Sequence, residues 1–378
     1  MPPKPYPCSP CSSFTIGESF AGGEGPLTAN IVFVGEALGV SEAATGRPFV
    51  GGTGQMLRTM LRQAGISERE VYITNTVKCR PPENRTPNQA EINFCTKTYL
   101  WDELIRIKPN VIVPVGNTAL QAILPSTPSG ITDVRGSVFN SPWGKIIPIV
   151  HPSFVAQGNP EYWAITVVDL IHIKEESYDS AVGRTRENFN IFPSLQDVQQ
   201  TCDFLLNNNR DFSFDIETLG RREHTNLICI GFAWSSEDAL CIPFLKRGGY
   251  SYWESETDEF EVWRSTIQLL TSKNLKITQN GFTFDLPILA GLRVKVTPPV
   301  EDTLVNHHIV ATELPHSLAF LKSIYARGLP YYKGDVKSSG GMLWAEDKVL
   351  RTYCCRDCTS TFISRQEIKK EMEELCLD

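Results

Sequence analysis

Four cysteines near the start of the chain have the spacing of metal ligands. Cys8 and Cys11 form a C-x2-C pair in a proline-rich segment, and Cys79 and Cys95 enclose a loop rich in proline, arginine and asparagine. Paired thiolates brought together from two segments suit a tetrahedral metal ion or an iron–sulfur cluster. Cys8 and Cys11 have no apolar sequence around them in which they would simply be buried. The pattern therefore predicts a metal centre, and the spacing alone leaves zinc and iron–sulfur open.

Carboxylates with the spacing of a second kind of metal site lie in the other half of the chain. Asp215 and Glu217 are two residues apart in a predicted strand, so both side chains lie on one face of a sheet. Asp285 is predicted to begin a helix, and Tyr353 and Asp357 lie four apart on one side of another. Four converging carboxylates would repel each other unless cations lay between them. The pattern predicts two Mg²⁺ or Mn²⁺ ions about 3.5–4 Å apart, the arrangement that hydrolyses phosphodiesters.

The segment YCCRDC places three more cysteines, Cys354, Cys355 and Cys358, beside these carboxylates. We interpret them as packing residues rather than ligands, because the sequence shows no second cysteine pair near them. Asp302, in the segment EDTLVNHH, is expected to be a supporting carboxylate.

In the first half of the chain, predicted strands alternate with predicted helices, and these elements must position the four cysteines. Four apolar runs rich in β-branched residues are predicted to be strands: 30–36, 71–75, 110–116 and 146–150. Three segments with helical spacing are predicted to be helices, with Pro87 in the first turn of the second: 52–65, 87–107 and 117–124. This alternation predicts a parallel sheet with helices on both faces and a site at the carboxyl ends of its strands.

The second half begins after a polar and charged stretch. We interpret residues 177–190 as a linker between a domain at 1–176 and a second domain at 191–378. Three runs of the second domain are predicted to form an antiparallel meander: 211–220, 227–234 and 239–244. They are followed by a predicted helix, a strand and a final long helix: 260–270, 275–280 and from about 347.

Composition narrows the class of protein. The chain has 378 residues, 41% of them apolar, and a formal net charge of -7, which argues against an indiscriminately basic nucleic-acid coat but allows local basic grooves. The first residues have no signal-peptide pattern, and no stretch approaches the roughly 18 apolar residues of a membrane span. We therefore expect no membrane partner and a reducing, cytoplasmic location, or the host cytoplasm if the source is viral. In that compartment eleven cysteines are better interpreted as ligands or buried thiols than as disulfides.

Several ordered motifs of the first half resemble the family 4 uracil-DNA glycosylases. The motifs are GEALG, TGRPFVGGTG, NTVKCRPPENRTP and HPS, which together with the cysteine spacing cover about residues 8–175. The resemblance implies an α/β/α uracil-DNA glycosylase fold, excision of uracil from DNA, and a [4Fe–4S] cluster of structural role. Its implied ligands are Cys8, Cys11, Cys79 and Cys95.

The implied iron–sulfur cluster gives a structural reason for the loop between Cys79 and Cys95. It would fix both ends of residues 80–94, so that Arg80, Asn84 and Arg85 could meet DNA phosphates without a large entropic cost. The alternative for Arg80 and Arg85 is ordinary solvated surface charge.

The resemblance also assigns roles in a pocket for a flipped-out base. Phe49 would stack on the uracil, and the amide of Asn75 would pair with its O4 and N3–H, which disfavours cytosine. His151 would donate a hydrogen bond to O2 as negative charge develops there. From the residues alone, Phe49 could instead be plain core, His151 a structural histidine and Asn75 a turn cap.

The remaining implied roles concern the sugar and the DNA backbone. Glu36 and Glu42 both fit the acidic position that would stabilise the cationic sugar, and the sequence does not rank them. The backbone amides of Gly35 to Gly39 are expected to bind the flanking DNA backbone, and Ser153 of the HPS motif is expected to bind substrate. Where this chain has Leu38 and Ala43, the family usually has proline and an acidic residue. After HPS the family often has an arginine in a leucine-rich stretch, where this chain reads FVAQGNP.

The second half resembles the tyrosine variant of the DEDD 3′–5′ exonucleases, most of all the proofreading domain of family A DNA polymerases. The motifs are DIET, the segment from Asn280 to Asp285, and Y-x3-D, within about residues 190–378. The resemblance implies an RNase H-like mixed sheet, with the four carboxylates as ligands of two Mg²⁺ or Mn²⁺ ions. Tyr353 would orient the attacking water.

These expectations combine into a DNA repair and replication enzyme with two hydrolytic sites. One site would excise uracil and begin base excision repair, and the other would remove nucleotides from 3′ ends of DNA, with a polymerase as an expected partner. The alternative is the front of a family A DNA polymerase whose glycosylase half is an inactive uracil- or DNA-binding module. A zinc-holding scaffold domain is a second alternative for the cysteine-rich half.

Overall fold

The structure is a computed structural model that describes residues 3–125, 130–181, 186–219, 226–329, 331, 332, 334, 336 and 345–377. The chain divides into two compact units, Met1–Gly183 and Arg184–Asp378. Each unit has its own sheet and its own buried core.

The first unit is built on a sheet with the strand order β2-β1-β3-β5-β4. Its strands are β1 (Ile31–Gly35), β2 (Val71–Asn75), β3 (Val111–Pro114), β4 (Phe139–Ser141) and β5 (Gly144–Ile146). Strands β2, β1, β3 and β5 run parallel, and β4 pairs antiparallel with β5 at the edge. Every residue of β1, β2 and β3 is buried, as expected where helices cover both faces. The predicted parallel sheet is confirmed, with an unpredicted antiparallel edge strand.

The fourth parallel strand of this sheet begins and ends earlier in the sequence than predicted. It is predicted at 146–150, but the strand is Gly144–Ile146. Ile147 and Ile149 still donate backbone hydrogen bonds to Ile112 and Pro114, and a parallel bridge joins Val115 to Ile149. Pro114 of β3 has no N–H to donate in return, which interrupts the ladder after Ile146.

Helices flank this sheet. They are α1 (Val40–Thr45), α2 (Gly52–Gln63), α3 (Gln89–Cys95), α4 (Trp101–Ile107), α5 (Asn117–Ile123), α6 (Ile131–Val134), α7 (Pro152–Ala156) and α8 (Tyr162–Glu176). The helix predicted at 87–107 consists of α3 and α4 joined by a π-helical turn, Thr96–Leu100. Pro87 precedes this helix instead of occupying its first turn, because Asn88 is the N-cap and forms a capping box with Glu91.

The second unit has a mixed sheet with the strand order β11-β10-β7-β8-β9-β6. Its strands are β6 (Asn188–Asn190), β7 (Phe212–Leu219), β8 (Asn226–Ala233), β9 (Asp238–Pro243), β10 (Lys276–Thr278) and β11 (Val300–Asp302). The predicted meander is confirmed, because β7, β8 and β9 pair antiparallel in sequence order. The last residue of its first predicted strand, Gly220, lies outside the described residues. Strand β6 falls inside the predicted linker and pairs parallel with β9.

Helices of the second unit include the predicted long one at the end of the chain. They are α9 (Leu195–Asn207), α10 (Glu256–Leu270), α11 (Asp285–Gly291), α12 (Thr303–Val310), α13 (Leu318–Tyr325) and α14 (Asp347–Glu374). Helix α14 packs across β7, β8 and β9, so it brings residues from the end of the chain against the central strands. Within the described parts of the chain, every helix is too short or too polar to cross a bilayer.

Candidate active sites

A cavity of about 380 Å³ opens where the parallel strands of the first unit end. The chain reaches it from the last residue of β2, from the turns that follow β1 and β3, and from the segment that begins α7. The residues that line it include Glu36, Leu38, Glu42, Phe49, Asn75, Asn84, Arg85, Thr118, His151 and Ser153. The parallel sheet thus gathers most of the predicted pocket residues at one edge.

Phe49 and Asn75 meet above Gly35. The backbone of Phe49 has a φ of 53°, a left-handed conformation that turns its buried ring toward the cavity. Gly35 makes room for both side chains, because a Cβ there would lie 2.3 Å from Oδ1 of Asn75 and 2.5 Å from Cζ of Phe49. The ring of His151 lies 6.3 Å from that of Phe49, between centroids. An aromatic face, an amide and an imidazole therefore share one cavity.

A methyl group at Gly35 tests this arrangement. Gly35→Ala must push the amide of Asn75 and the ring of Phe49 from their places, and a displacement of about 1 Å costs on the order of 10²-fold in rate. We expect uracil excision to fall by that order in protein that is still folded at the assay temperature, although overpacking lowers the free energy of unfolding by about 1–3 kcal/mol. Gly52→Ala is the matched control, since a Cβ at Gly52 has nothing within 4 Å. Equal excision rates for the two variants would contradict the arrangement.

His151 is held as a neutral ring with a defined proton. Its Nδ1 accepts a hydrogen bond from the backbone N–H of Ser153 at 3.1 Å and lies 2.7 Å from the Ser153 hydroxyl oxygen. Burial lowers the pKa of His151 below its ordinary value, and the negative charge of Glu42 offsets this only in part. With Nδ1 occupied as an acceptor, Nε2 is the nitrogen that carries the proton. The ring is thus a neutral N–H donor, as the predicted role requires.

The two acidic candidates have different surroundings. One carboxylate oxygen of Glu42 accepts the backbone N–H groups of Val50 and Gly51 at 3.0 and 2.8 Å, so this buried side chain holds the turn that follows Phe49. The other candidate, Glu36, accepts one hydrogen bond, from the hydroxyl of Thr118 at 2.5 Å, and lines the cavity. Both carboxylates line the cavity, but one oxygen of Glu42 is bound by two backbone N–H groups, whereas Glu36 is bound by the Thr118 hydroxyl.

The four cysteines that the sequence predicts to hold a metal centre converge in the structure. Cys8, Cys11, Cys79 and Cys95 line one narrow cavity, and the first, third and fourth are buried. Burial, together with the charges of neighbouring thiols, raises the pKa of Cys79 to about 11 and that of Cys95 to about 12. The hydroxyl of Tyr99 lies 3.0 Å from Sγ of Cys8. Four free thiols in one place, with polar groups on their sulfurs, have the donor chemistry of an iron–sulfur or zinc site.

A buried ion pair fixes the chain between Asn75 and Cys79. Nζ of Lys78 lies 2.6 Å from Oε2 of Glu103, and both side chains are almost fully buried. Desolvation lowers the pKa of Lys78, and the charge of Glu103 opposes this effect. The pair ties the segment that links the pocket to the thiols onto α4.

Both arginines of the loop between Cys79 and Cys95 have acidic partners. Arg80 pairs with Glu18 and donates to the side-chain oxygen of Asn84 at 2.6 Å. Arg85 donates to both carboxylate oxygens of Glu91 at 2.6 and 2.8 Å. Asn84 and Arg85 line the cavity, while Arg80 is not among the lining residues that the structure describes. Any phosphate contact by these arginines would compete with pairs already made.

Gly35, Phe154 and Thr118 have contacts that the sequence does not predict. Gly35 gives space to its neighbours and is not among the described lining residues. Phe154, in the segment after HPS, packs edge-on against Tyr162 at 5.1 Å between centroids. The role of Thr118 was not predicted, because its partner is far away in the sequence.

The predicted carboxylates of the second unit also converge. Asp215 and Glu217 lie on β7, with carboxylate oxygens within 4.8 Å of each other, and Asp285 begins α11 as predicted. Oδ1 of Asp285 accepts the backbone N–H of Ile216 at 3.0 Å, which joins α11 to β7. Asp357 lies on α14, which packs on β7.

Burial and the charges of neighbouring carboxylates raise the pKa values of Asp215 and Asp285. Burial and then the charges of Asp285, Glu217 and Asp357 raise the pKa of Asp215 well above its ordinary value. Burial raises the pKa of Asp285 to about 7. Tyr353 feels the same charges: burial and then Asp357, Glu217 and Asp215 raise its pKa strongly. Such a concentration of buried acids fits divalent cations, which would remove the repulsion.

Asp302 supports the backbone instead of joining this cluster. It caps α12 by accepting the N–H of Leu304 at 3.0 Å, and it also accepts those of Asn280 and Phe282 at 2.9 and 3.1 Å. These bonds fix the turn that leads into Asp285.

Tyr332 is a contributor to this site that the sequence did not reveal. Its buried hydroxyl donates to Oδ1 of Asp357 at 2.6 Å and lies 3.0 Å from the hydroxyl of Ser360. No motif marks it, because it comes from a segment outside the regular elements of the sheet.

Removing this hydroxyl tests the support of Asp357. Outer hydrogen-bond partners of metal ligands are typically worth about 10–100-fold in metal affinity or activity. We expect Tyr332→Phe to lower exonuclease activity within that range and to raise the Mg²⁺ concentration needed for half-maximal rate. Tyr250→Phe, at an exposed position, is the control. An unchanged Mg²⁺ requirement would show that the hydrogen bond does not support the ligand.

Sequence comparison places both units in known families. Residues 23–170 match the uracil DNA glycosylase superfamily, and residues 189–373 match a 3′–5′ exonuclease family of the DNA polymerase A type. The type-4 uracil-DNA glycosylase of Thermotoga maritima is 44% identical over 149 residues, which are 39% of this chain and 77% of that protein. The Archaeoglobus fulgidus type-4 enzyme is 41% identical over 155 residues, with the same shares. The chain belongs to the uracil-DNA glycosylase superfamily, and its second half is a 3′–5′ exonuclease domain.

Two further likenesses are more distant. The DNA polymerase of Bacillus phage SP01 is 34% identical over 149 residues, which are 39% of this chain and 16% of that protein. Among solved structures, Brucella melitensis NrnC with bound Mg²⁺ is 20% identical, covering 46% of this chain and 79% of that one, with a TM-score of 0.35.

Proposed function

We propose that this chain acts on DNA with two separate active sites, one that excises uracil and one that removes nucleotides from 3′ ends. The function follows from the two families, and the residues assigned below are the proposal's own. The single observation that carries the glycosylase assignment is the meeting of Phe49, Asn75 and His151 in one cavity.

Recognition of uracil would combine stacking with an amide. The ring of Phe49 offers a face to the flipped-out base, and the amide of Asn75 offers a donor for O4 and an acceptor for N3–H. In the described residues, the side-chain amide of Asn75 has no hydrogen-bond partner, so it is available to the base. Cytosine presents the opposite pattern at these positions and would leave a buried amide unsatisfied.

Cleavage of the glycosidic bond leaves negative charge on the departing uracil and positive charge on the sugar. A neutral His151 donates from Nε2 to O2, which stabilises the leaving group without protonating it fully. Glu36 would stabilise the cationic sugar and orient the attacking water, because its carboxylate is directed by Thr118 and lines the cavity. Glu42 would act indirectly by fixing the turn that carries Phe49.

The cofactor of the first unit is proposed to be a [4Fe–4S] cluster held by Cys8, Cys11, Cys79 and Cys95. The thiol set and the likeness to type-4 enzymes support this choice over zinc. The cluster would supply rigidity by joining the first residues of the chain to both ends of the loop that carries Arg85. Arg80 and Arg85 would position the DNA backbone from that loop.

The second site would hold two Mg²⁺ or Mn²⁺ ions between Asp215, Glu217, Asp285 and Asp357. The ions, when bound, supply an activated water and stabilise the leaving oxygen. Tyr353, beside Asp357 on α14, would orient the water, and Tyr332 would hold Asp357 in place. A polymerase partner stays a prediction from the sequence resemblance.

Metal analysis tests the cofactor assignment most simply. Protein purified without oxygen should be brown and contain about four iron atoms per chain, the content of one cubane cluster. Cys79→Ser should lose the iron, and Cys202→Ser, which changes a buried thiol of the other unit, should keep it. A colourless protein with zinc at these four cysteines would overturn the iron–sulfur proposal. Tight binding of uracil DNA without excision would favour the inactive-module alternative.

A further inference from the structure

Five cysteines of the second unit form one buried cluster that neither activity uses. Cys229 lies on β8, Cys241 lies on β9, and Cys354, Cys355 and Cys358 lie on α14. All five side chains are fully buried and unoxidised. The sequence could not suggest this, because the partners of the α14 cysteines come from strands more than a hundred residues earlier.

The fold itself brings the thiols together. In the antiparallel pair β8–β9, Cys241 lies opposite Gly231, and Cys229 is two residues from Gly231, so both cysteines point to the same face. Helix α14 covers that face and contributes Cys354. The Sγ atoms of Cys229, Cys241 and Cys354 all lie within 4.8 Å of one another. Three sulfurs of one tetrahedral zinc site, with Zn–S about 2.3 Å, would be about 3.8 Å apart.

Glycine at position 231 is required for this approach. A Cβ there would lie 2.7 Å from the Sγ atoms of both Cys354 and Cys358, closer than real Cβ atoms come. The thiols therefore pack directly against bare backbone. Simple hydrophobic packing has no need of this, since a larger apolar side chain at 231 could fill the same space.

The thiols of the cluster contact one another and lie near a buried cation. The side chains of Cys229, Cys354 and Cys355 are hydrogen-bonded to that of Cys241, and the charge of Arg351 acts on the same sulfur. Arg351 is 2% exposed and is held by Asp347 at 2.9 Å. Three thiols thus surround one sulfur, with a buried guanidinium close by.

We propose that this cluster is a second, closed metal site that binds a structural Zn²⁺ ion through the three converging sulfurs of Cys229, Cys241 and Cys354. The fourth ligand would be Cys355, whose side chain is hydrogen-bonded to Cys241 and would shift on zinc binding to bring its sulfur within reach of the other two. Thiolate sulfur selects zinc or Cu(I) over the Mg²⁺ and Mn²⁺ that carboxylates prefer. The complete burial of the sulfurs matches a structural site, which has no open position for substrate. Cys358, next to Cys354 on the same helix, packs beside the ligands.

The site would lie directly under the exonuclease centre. Sγ of Cys354 lies 3.7 Å from the backbone oxygen of Asp215 and within 4.8 Å of the ligand atoms of Asp215 and Glu217. Zinc bound by two strands and by α14 would fix the helix that carries Asp357 against the strand that carries Asp215. Zinc would therefore be a positioning element for the exonuclease and would take no part in its chemistry.

Counting zinc and iron together tests the proposal in the full chain. We expect about one zinc per chain in addition to any iron, measured by mass spectrometry of protein dialysed against EDTA. Cys229→Ser and Cys241→Ser should lose the zinc. Cys202→Ser should keep it, because this buried thiol packs in a separate core. Two other controls locate the metal: Cys11→Ser should lose iron and keep zinc, and Asp285→Asn should keep both.

Two results would overturn the proposal. Wild-type chain from zinc-supplemented cells that holds only traces of zinc, while its exonuclease is active, would show that the thiols are packing residues. Zinc that disappears in Cys11→Ser or Asp285→Asn, and not in Cys241→Ser, would belong to another site. The wild-type measurement keeps the test decisive even if the serine variants fail to fold.

Discussion

Replacing His151 by alanine lowers the rate of uracil excision by about 10²–10³-fold, the usual loss when one donor to a developing oxyanion is removed. The expectation rests on the geometry of the ring. Nδ1 accepts from Ser153, burial keeps the imidazole neutral, and Nε2 is left as the donor. The rate is measured by single-turnover excision on a uracil-containing oligonucleotide, followed by alkaline cleavage.

Ser153→Ala is the graded control for this prediction. It removes the hydroxyl at 2.7 Å but keeps the backbone N–H that bonds Nδ1, so the loss of rate should be smaller than in His151→Ala. Both variants should trim 3′ ends at the wild-type rate. An excision rate that is unchanged in His151→Ala would remove the histidine from the mechanism.

Asp215→Asn should nearly abolish 3′-end trimming. The substitution keeps the shape of the side chain but removes a charged ligand from the carboxylate cluster. Two-metal stabilisation is worth several kcal/mol, so the loss is expected to be on the order of 10²–10⁴-fold. Shortening of a 5′-labelled strand in Mg²⁺ measures it directly.

Asp203→Asn, at an exposed carboxylate on α9, is the control for the change of charge and should be silent. Removing divalent ions from wild-type protein with EDTA should have the same effect as Asp215→Asn, and uracil excision should continue in both cases. Trimming that persists in Asp215→Asn would place the exonuclease metals elsewhere.

The parts of the fold that the sequence predicts well are those where one physical signal dominates. Strands β1, β2 and β3 are continuous buried runs, so their β-branched residues predict them without ambiguity. Strand β4 has three residues, none of them buried, and no such signal. The predicted linker hides β6 for the same reason, because a short and partly exposed edge strand resembles a polar loop.

The sequence predicts those site residues that lie at or just after the ends of strands. Asn75 ends β2 and His151 follows the β5 region, so a parallel sheet must bring them together. The different surroundings of Glu36 and Glu42 depend on backbone N–H groups and a distant threonine, which no motif encodes. The sequence does not reveal the pairing of Arg85 with Glu91 either, because Glu91 also forms a capping box with Asn88.

The central claim is that one chain carries two independent active sites, and a single substrate tests it most directly. A 5′-labelled DNA strand with one internal uracil reports excision as one alkali-dependent fragment and trimming as a ladder of shortened products. The account predicts that His151→Ala loses only the fragment and Asp215→Asn loses only the ladder. Loss of both products in either variant, with the protein still folded, would contradict it.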